Sequence, residues 1–299
     1  MLKIAYNNKY ILPLPENHRF PMIKYELIPL QLKHEGLVEK NNFFSPGKIN
    51  SKWLKKCHTQ HYINKLNTLS LNKNEIRKTG FPLTKDLVER EYIITEGTRQ
   101  CVDHAISHGA SANIAGGTHH AFHDRGEGFC LFNDVAVGAY YALENYKLKK
   151  ILVIDLDVHQ GNGTASIMKN ESRVFTFSMH GKKNYPFKKE ISDIDVEIED
   201  GTEDDQYLFL LENNLKQIHQ LFSPEIIFYI SGVDILSTDK LGRLKISREG
   251  CRKRDDMVFD YAFKNNLPII TSMGGGYSTK IYDIVEAHCN TFKSMLKIV

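Results

Sequence analysis

The sequence predicts a single α/β domain over residues 1–299, built on a mainly parallel central sheet flanked by helices. Three observations carry this expectation. Near-continuous apolar runs of strand length recur in "ILVID", "PEIIFYI" and "LPIITS", as strands buried on both faces of a parallel sheet require. Stretches with helical apolar spacing alternate with them from end to end. No internal repeat or low-complexity linker divides the chain.

Taken in order, residues 2–6, "LKIAY", read as an opening strand. Pro13, Pro15 and Pro21 then hold off a helix until near Met22. Residues 35–80 are mixed and polar; within them Trp53, Leu54, Cys57, Tyr62 and Leu66 have helical spacing, and His58 and His61 read as packing or surface residues. Residues 84–108 read as one or two helices beginning near Thr84 and Asp86. "SANIAGGTHH" is a short strand of small residues running into Gly116, Gly117, His119 and His120. A helix is expected from about Asn133 to Asn145, and Cys130 between two aromatics reads as a small buried hydrophobe. After the strand at 151 come a helix at 164–170 and the strand "RVFTFSMH". Residues 182–206 are acidic and polar and are expected to form a solvated loop; they lack the spacing of an EF-hand. "QYLFLLENNLKQIHQLF" is a helix, followed by the strand "PEIIFYISGVD", the helix "REGCRKRDDMVFDYAFKNN", the strand "LPIITSMGGGY" and a C-terminal helix.

Composition narrows the function classes. A net charge of +3 with interspersed signs gives no long-range attraction to nucleic acid or membrane. The five cysteines include no Cys-x-x-Cys pair, so neither a disulfide framework nor a cysteine zinc site is indicated. No segment is apolar for long enough to act as a signal peptide or to span a bilayer, and a reducing, cytoplasmic compartment is expected.

The chemistry is concentrated at strand ends. "ILVIDLDVHQGNG" runs from an apolar strand into Asp155, Asp157 and His159, which share one face if the strand continues, since residues i, i+2 and i+4 do so. Three other strands run out at His119 and His120, at Asp234, and at three glycines followed by Tyr277. Ligands in open parallel sheets bind beyond the carboxyl ends of the strands, so four stretches aim at one rim and place an active site there. Asp157, His159 and Asp234 offer two oxygens and one nitrogen, and three protein ligands with an open fourth position are the pattern of a catalytic zinc. Such an ion acidifies water and polarises a carbonyl, which suits amide hydrolysis. His119 and His120 can supply the base and the acid, and the Tyr277 hydroxyl can donate to an oxyanion.

These residues lie within motifs that resemble the histone deacetylase family of the arginase–deacetylase superfamily. "HRFPMIKY", "HHAF…GEGFCLFNDVAV", "IDLDVHQGNGT", "SGVDILSTDKLGRLKIS" and "GGGY" occur in order and cover nearly the whole chain. "DLDVHQGNGT" and "VEIEDGTEDDQYL" look most like class IV and related bacterial members. The resemblance implies the arginase–deacetylase fold and zinc on Asp157, His159 and Asp234. It implies His119 and His120 as the acid/base pair and Tyr277 as the oxyanion donor. Asp155 would back His119, and a structural potassium ion would lie among Asp155, Asp157, His159, Ser178 and Met179. Gly128 and Phe129 would line an acyl-lysine tunnel with Tyr185 opposite, and Gly275 and Gly276 would also meet substrate. Arg19 and Met22 would sit by an internal pocket below the zinc. Asn162 stands where many members carry an Asp that partners the second histidine; an amide cannot raise the basicity of His120 by charge. Glu91 matches an acidic rim position poorly.

The implied activity is zinc-dependent hydrolysis of acyl-lysine, acetyl or longer, in a protein or peptide. The alternatives are a deacetylase of acetylpolyamines or other small amides, a binuclear manganese enzyme of the arginase kind, and a catalytically silent acyl-lysine binder. Gly232 and Val233 precede Asp234 where a second metal would want another Asp.

Overall fold

The structure, a computed structural model, describes residues 1–298. Eight strands form one sheet: β1 (Lys3–Ala5), β2 (Phe43–Phe44), β3 (Ala110–Asn113), β4 (Ile151–Asp155), β5 (Val174–Gly181), β6 (Ile194–Ile198), β7 (Ile226–Ile230) and β8 (Ile269–Ser272). Their order is β2-β1-β3-β8-β7-β4-β5-β6, and every pairing is parallel. The central strands β3, β8, β7 and β4 are buried along their whole length, the consequence of having no polar face to turn to water.

Among the described residues the α-helices are α1 (Lys24–His34), α2 (Ser51–Cys57), α3 (Gln60–Asn67), α4 (Lys73–Thr79), α5 (Lys85–His108), α6 (Asp134–Asn145), α7 (Asn162–Met168), α8 (Asp204–Leu221), α9 (Arg248–Lys264) and α10 (Ile281–Met295). Neighbouring residues of β7 show how they divide. Gly138 of α6 abuts the Phe228 ring, whereas Asp255 of α9 accepts a bond from the Tyr229 hydroxyl. Successive strand side chains point to opposite faces, so α6 and α9 cover opposite sides of the sheet. α5 packs with α6, and α8 and α10 pack with α9.

Local chemistry sets several boundaries. Thr84 caps α5 by accepting from the Leu87 amide at 3.1 Å, and Asn133 caps α6 by accepting from the Ala136 amide at 2.9 Å. The stretch read as one or two helices is a single one, Lys85–His108, ended by Gly109. The segment expected to be helical from Trp53 to Leu66 splits into α2 and α3 at His58, because Thr59 takes up a new N-cap over Tyr62.

The expected loop at 182–206 needs correction, since it contains β6. Ile194, Val196 and Ile198 turn inward while Asp195 and Glu197 face water. This period-two pattern is masked in the sequence by the acidic residues around it, and charges on an edge strand discourage pairing with another chain.

Candidate metal centre and active site

β4 ends at Asp155, so the expectation that Asp157 and His159 share its face by strand alternation is also corrected. Side chains take over from the ladder. The Asp157 amide donates to Asp155 Oδ1 at 3.2 Å, and the His159 amide donates to Asp157 Oδ1 at 2.9 Å. These local bonds fold the chain into a turn that still gathers the three side chains.

Asp234, beyond β7, completes the cluster. His159 Nδ1 lies 3.0 Å from Asp157 Oδ1 and 3.0 Å from Asp234 Oδ2. Backbone amides hold the other carboxylate oxygens: Gly275 donates to Asp157 Oδ2 at 2.7 Å, and Val158 donates to Asp234 Oδ1 at 2.9 Å. One oxygen of each carboxylate is therefore aimed at the imidazole. Gly275 is required, because an added Cβ would stand 2.7 Å from Asp157 Oδ2 and closer still to Asp234.

The three ligand atoms lie within 4.8 Å of one another and are buried. A tetrahedral ion with bonds of about 2.0–2.2 Å holds its ligand atoms roughly 3.3–3.6 Å apart, close to these separations. Two buried carboxylates side by side are costly without a cation. Burial, then the Asp157 charge, pushes Asp234 up to about 7. The residues present thus fit a divalent ion of the zinc type, with the imidazole and one oxygen from each carboxylate as donors. Among the described residues this is the one such group. For the five potassium positions, the β4–β5 register sets Asp155 beside Ser178.

Two histidines flank the cluster. Asp134 builds the turn before them: its carboxylate accepts from the Gly117 amide at 3.1 Å, the Thr118 amide at 2.8 Å and the Thr98 hydroxyl at 2.6 Å. His119 Nδ1 meets Asp155 Oδ2 at 2.6 Å, and His120 Nδ1 meets Asn162 Oδ1 at 2.7 Å. Burial opposes the charged form of His119, but the carboxylates of Asp155 and Asp157 outweigh it and raise it to about 9. Burial, with the neighbouring His119 and His159 charges, holds His120 well below its usual value. An amide oxygen only accepts, so His120 Nδ1 carries the proton and Nε2 keeps its lone pair. Burial, then the Asp157 and Asp234 charges, pushes the Tyr277 hydroxyl well up, so it stays protonated.

Aromatic rings wall the approach. Phe129 lies 5.8 Å from Tyr277 and Tyr185 lies 5.0 Å from His120, centroid to centroid. Phe129 has φ 66, a backbone region that bulky residues rarely adopt, at the tunnel wall. It is pinned there because the Gly128 and Phe129 amides donate to the Lys78 and Thr79 carbonyls at 3.0 and 2.8 Å. An inner cavity of about 30 Å³ touches Tyr25, Arg90, Gly275 and Tyr277, and a mouth of about 620 Å³ opens outside it.

Three expected positions differ. Arg19 is exposed on the outer mouth, and Arg90, not Arg19, lines the inner cavity. Pro21 and the turn at Met22 separate Arg19 from α1, which leaves it on the surface side. Gly276 borders neither space, since its open side faces Val233 and Ile284. Glu91, already a poor match to a rim position, is buried against Arg90. Met22 is buried, without lining the inner cavity.

Several residues escaped the sequence reading. Buried Lys24 donates to the Gly274 carbonyl at 3.1 Å, with its Nζ 5.8 Å from the Tyr277 ring centre. Asp239 accepts from the Tyr277 amide at 2.6 Å. Arg254 is fully buried and donates to the carbonyls of Gly232 at 2.5 Å and Leu156 at 3.3 Å, next to the strand ends that carry Asp234 and Asp157. The one signal for Arg254 was a charged pair, Arg254 and Asp255, opening an otherwise apolar helix face at Val258 and Phe259.

Fold and site together define an α/β protein with a candidate metal-centred catalytic site at the carboxyl rim of a parallel sheet. The histone deacetylase domain matches residues 18–292, and the chain belongs to the histone deacetylase family. It is 35% identical over 285 residues to an uncharacterised protein of Picosynechococcus sp., covering 95% of each. It is 30% identical to histone deacetylase 2 of Arabidopsis thaliana, covering 92% of this chain and 74% of that protein. The crystal structure of an HDAC homolog from Aquifex aeolicus superposes with a TM-score of 0.85 at 24% identity, covering all of this chain and 84% of that one. An HDAC homolog complexed with SAHA gives the same TM-score at 25% identity, covering 100% of this chain and 84% of that one.

Proposed function

We propose that this protein is a zinc-dependent lysine deacetylase. The observation that carries the reading is the pairing of a buried Asp157–His159–Asp234 group with a free His120 Nε2 and a protonated Tyr277 at the foot of one tunnel. Family membership supports it. A zinc ion held by that group would supply Lewis acidity for water and for the acyl carbonyl. His120 Nε2 takes a proton from water as its oxygen attacks the acyl carbon. Tyr277 donates to the oxygen that gains charge, and the charged His119 adds a favourable field. The C–N bond then breaks, and His120 passes its proton to the leaving lysine amine, so a carboxylate and a free lysine result. Asp155 keeps His119 charged and oriented.

The size of the inner cavity supports acetyl over long acyl groups. Only about 30 Å³ is open to the centre of a water-sized group, so the space is tight. Tyr25 and Arg90 close it, and Arg90 is fixed by the Tyr10 carbonyl at 2.7 Å and by Glu91. A peptide series carrying acetyl, octanoyl and myristoyl lysine tests this, with His120→Ala as control. Acetyl should turn over fastest, and a myristoyl optimum would overturn the assignment of acyl length. Metal analysis of the purified protein should give one zinc per chain; two manganese ions would favour the arginase-like alternative.

A further inference from the structure

Resting on the deacetylase reading, we propose that the tunnel mouth selects acyl-lysines flanked by acidic residues. Five cationic side chains line it: Arg19, Arg77, Lys78, Lys183 and Arg243. They come from four stretches, the segment before α1, the last turn of α4, the loop that follows β5 and the loop that follows β7. All five are exposed.

Little cancels them. Glu127 is the one carboxylate on the lining, and its oxygens are taken by Arg125 at 2.8 Å and by the Tyr185 hydroxyl at 2.6 Å. Asp200 lies behind the wall and is shared by Lys183 at 3.8 Å and Arg243 at 3.3 Å. Arg77 has only the neutral Asn74 amide oxygen, at 3.1 Å. Arg19 and Lys78 have no ion pair among the described residues. Five cations against the single lining carboxylate of Glu127 leave the mouth itself net positive. Phe187, 88% exposed, stands on the same rim and offers an apolar rest for a peptide side chain.

An acylated lysine is itself neutral, so the mouth reads its neighbours. Asp or Glu beside it is drawn in, while Arg or Lys beside it, or the free amines of an acetylpolyamine, are repelled. The field of several convergent charges acts on encounter and on binding, and salt with a Debye length of about 8 Å at 0.15 M screens it.

The test measures kcat/KM of the zinc-loaded full chain on three acetyl-lysine peptides, flanked by Glu, by Gln or by Arg. The Glu peptide should exceed the Arg peptide by about tenfold at low salt, mainly through KM, with the gap narrowing to about twofold at 0.5 M salt. Equal rates, or a faster Arg peptide, would overturn the proposal, as would N-acetylspermidine turning over as well as the Glu peptide. Two charge-reversed proteins, Arg77→Glu with Lys78→Glu and, separately, Lys183→Glu with Arg243→Glu, should each shrink or invert the preference, with the Gln peptide as the internal reference. Retained preference in both would overturn it. If no peptide is cleaved, the deacetylase reading fails by itself. Fluorescence anisotropy of the same labelled peptides then decides the mouth: tighter binding of the Glu peptide supports selection, and equal binding refutes it.

Discussion

His119 and His120 are chain neighbours with ring centres 4.1 Å apart, yet they hold protons in opposite ways. Both are buried, and each offers Nδ1 to an oxygen. Part of the difference lies in that oxygen. Asp155 is a carboxylate and Asn162 is an amide, so one partner rewards a charged ring and the other does not. His119 is pulled up to about 9 despite burial, while His120 is held well down. A pair built this way favours the charged form of one ring and the neutral form of the other. Identical residue types in one site thus differ in proton affinity through their partners and the charges around them.

The comparison can be broken most severely by removing the rings. His120→Ala should lower kcat/KM by about 10²–10⁴, and His119→Ala by clearly less. Steady-state rates on one acetyl-lysine peptide check the order, and the reverse order would exchange the two roles. Next in size, Tyr277→Phe should cost about 10²–10³ in kcat if its hydroxyl meets the developing oxyanion, whereas an unchanged rate would remove it from the reaction.

Asp155→Asn makes the two partners alike. Losing the carboxylate should drop the His119 pKa from about 9 toward the value of an ordinary buried ring, seen by NMR titration of the metal-free protein. The rate should fall by about 10–100-fold, since Asp155 also supports the turn that carries Asp157. The smallest change runs the other way. Asn162→Asp puts a carboxylate against His120 and stabilises its protonated form, so its pKa rises. The acid limb of the kcat/KM profile should therefore move to higher pH, with little change at pH 8. A profile that does not move would separate His120 from the proton transfer.

The sequence was most legible where chemistry sits beside a strong local pattern. Apolar runs at 151–155, 226–230 and 269–272 marked β4, β7 and β8, and the reactive residues follow within a few positions. It was less legible where two patterns overlap. In β6 the alternation of Ile194, Val196 and Ile198 was hidden by acidic neighbours. Beyond β4, side-chain bonds to amides rather than strand alternation bring Asp157 and His159 together. Arg19 shares a motif with the residues near the inner cavity but points outward to the mouth.

By itself the sequence determined the α/β class, the succession of strands and the reactive residue types at their ends, because periodicity and residue chemistry are properties of short stretches. Tertiary structure alone decided which atoms face one another. Lys24 reaches the Gly274 carbonyl across 250 positions, and Arg254 reaches the Leu156 carbonyl across 98. It also decided that five cations from separate segments would ring one mouth. Such meetings depend on how strands are ordered in the sheet and which face each helix covers, and no local window of the chain contains that information.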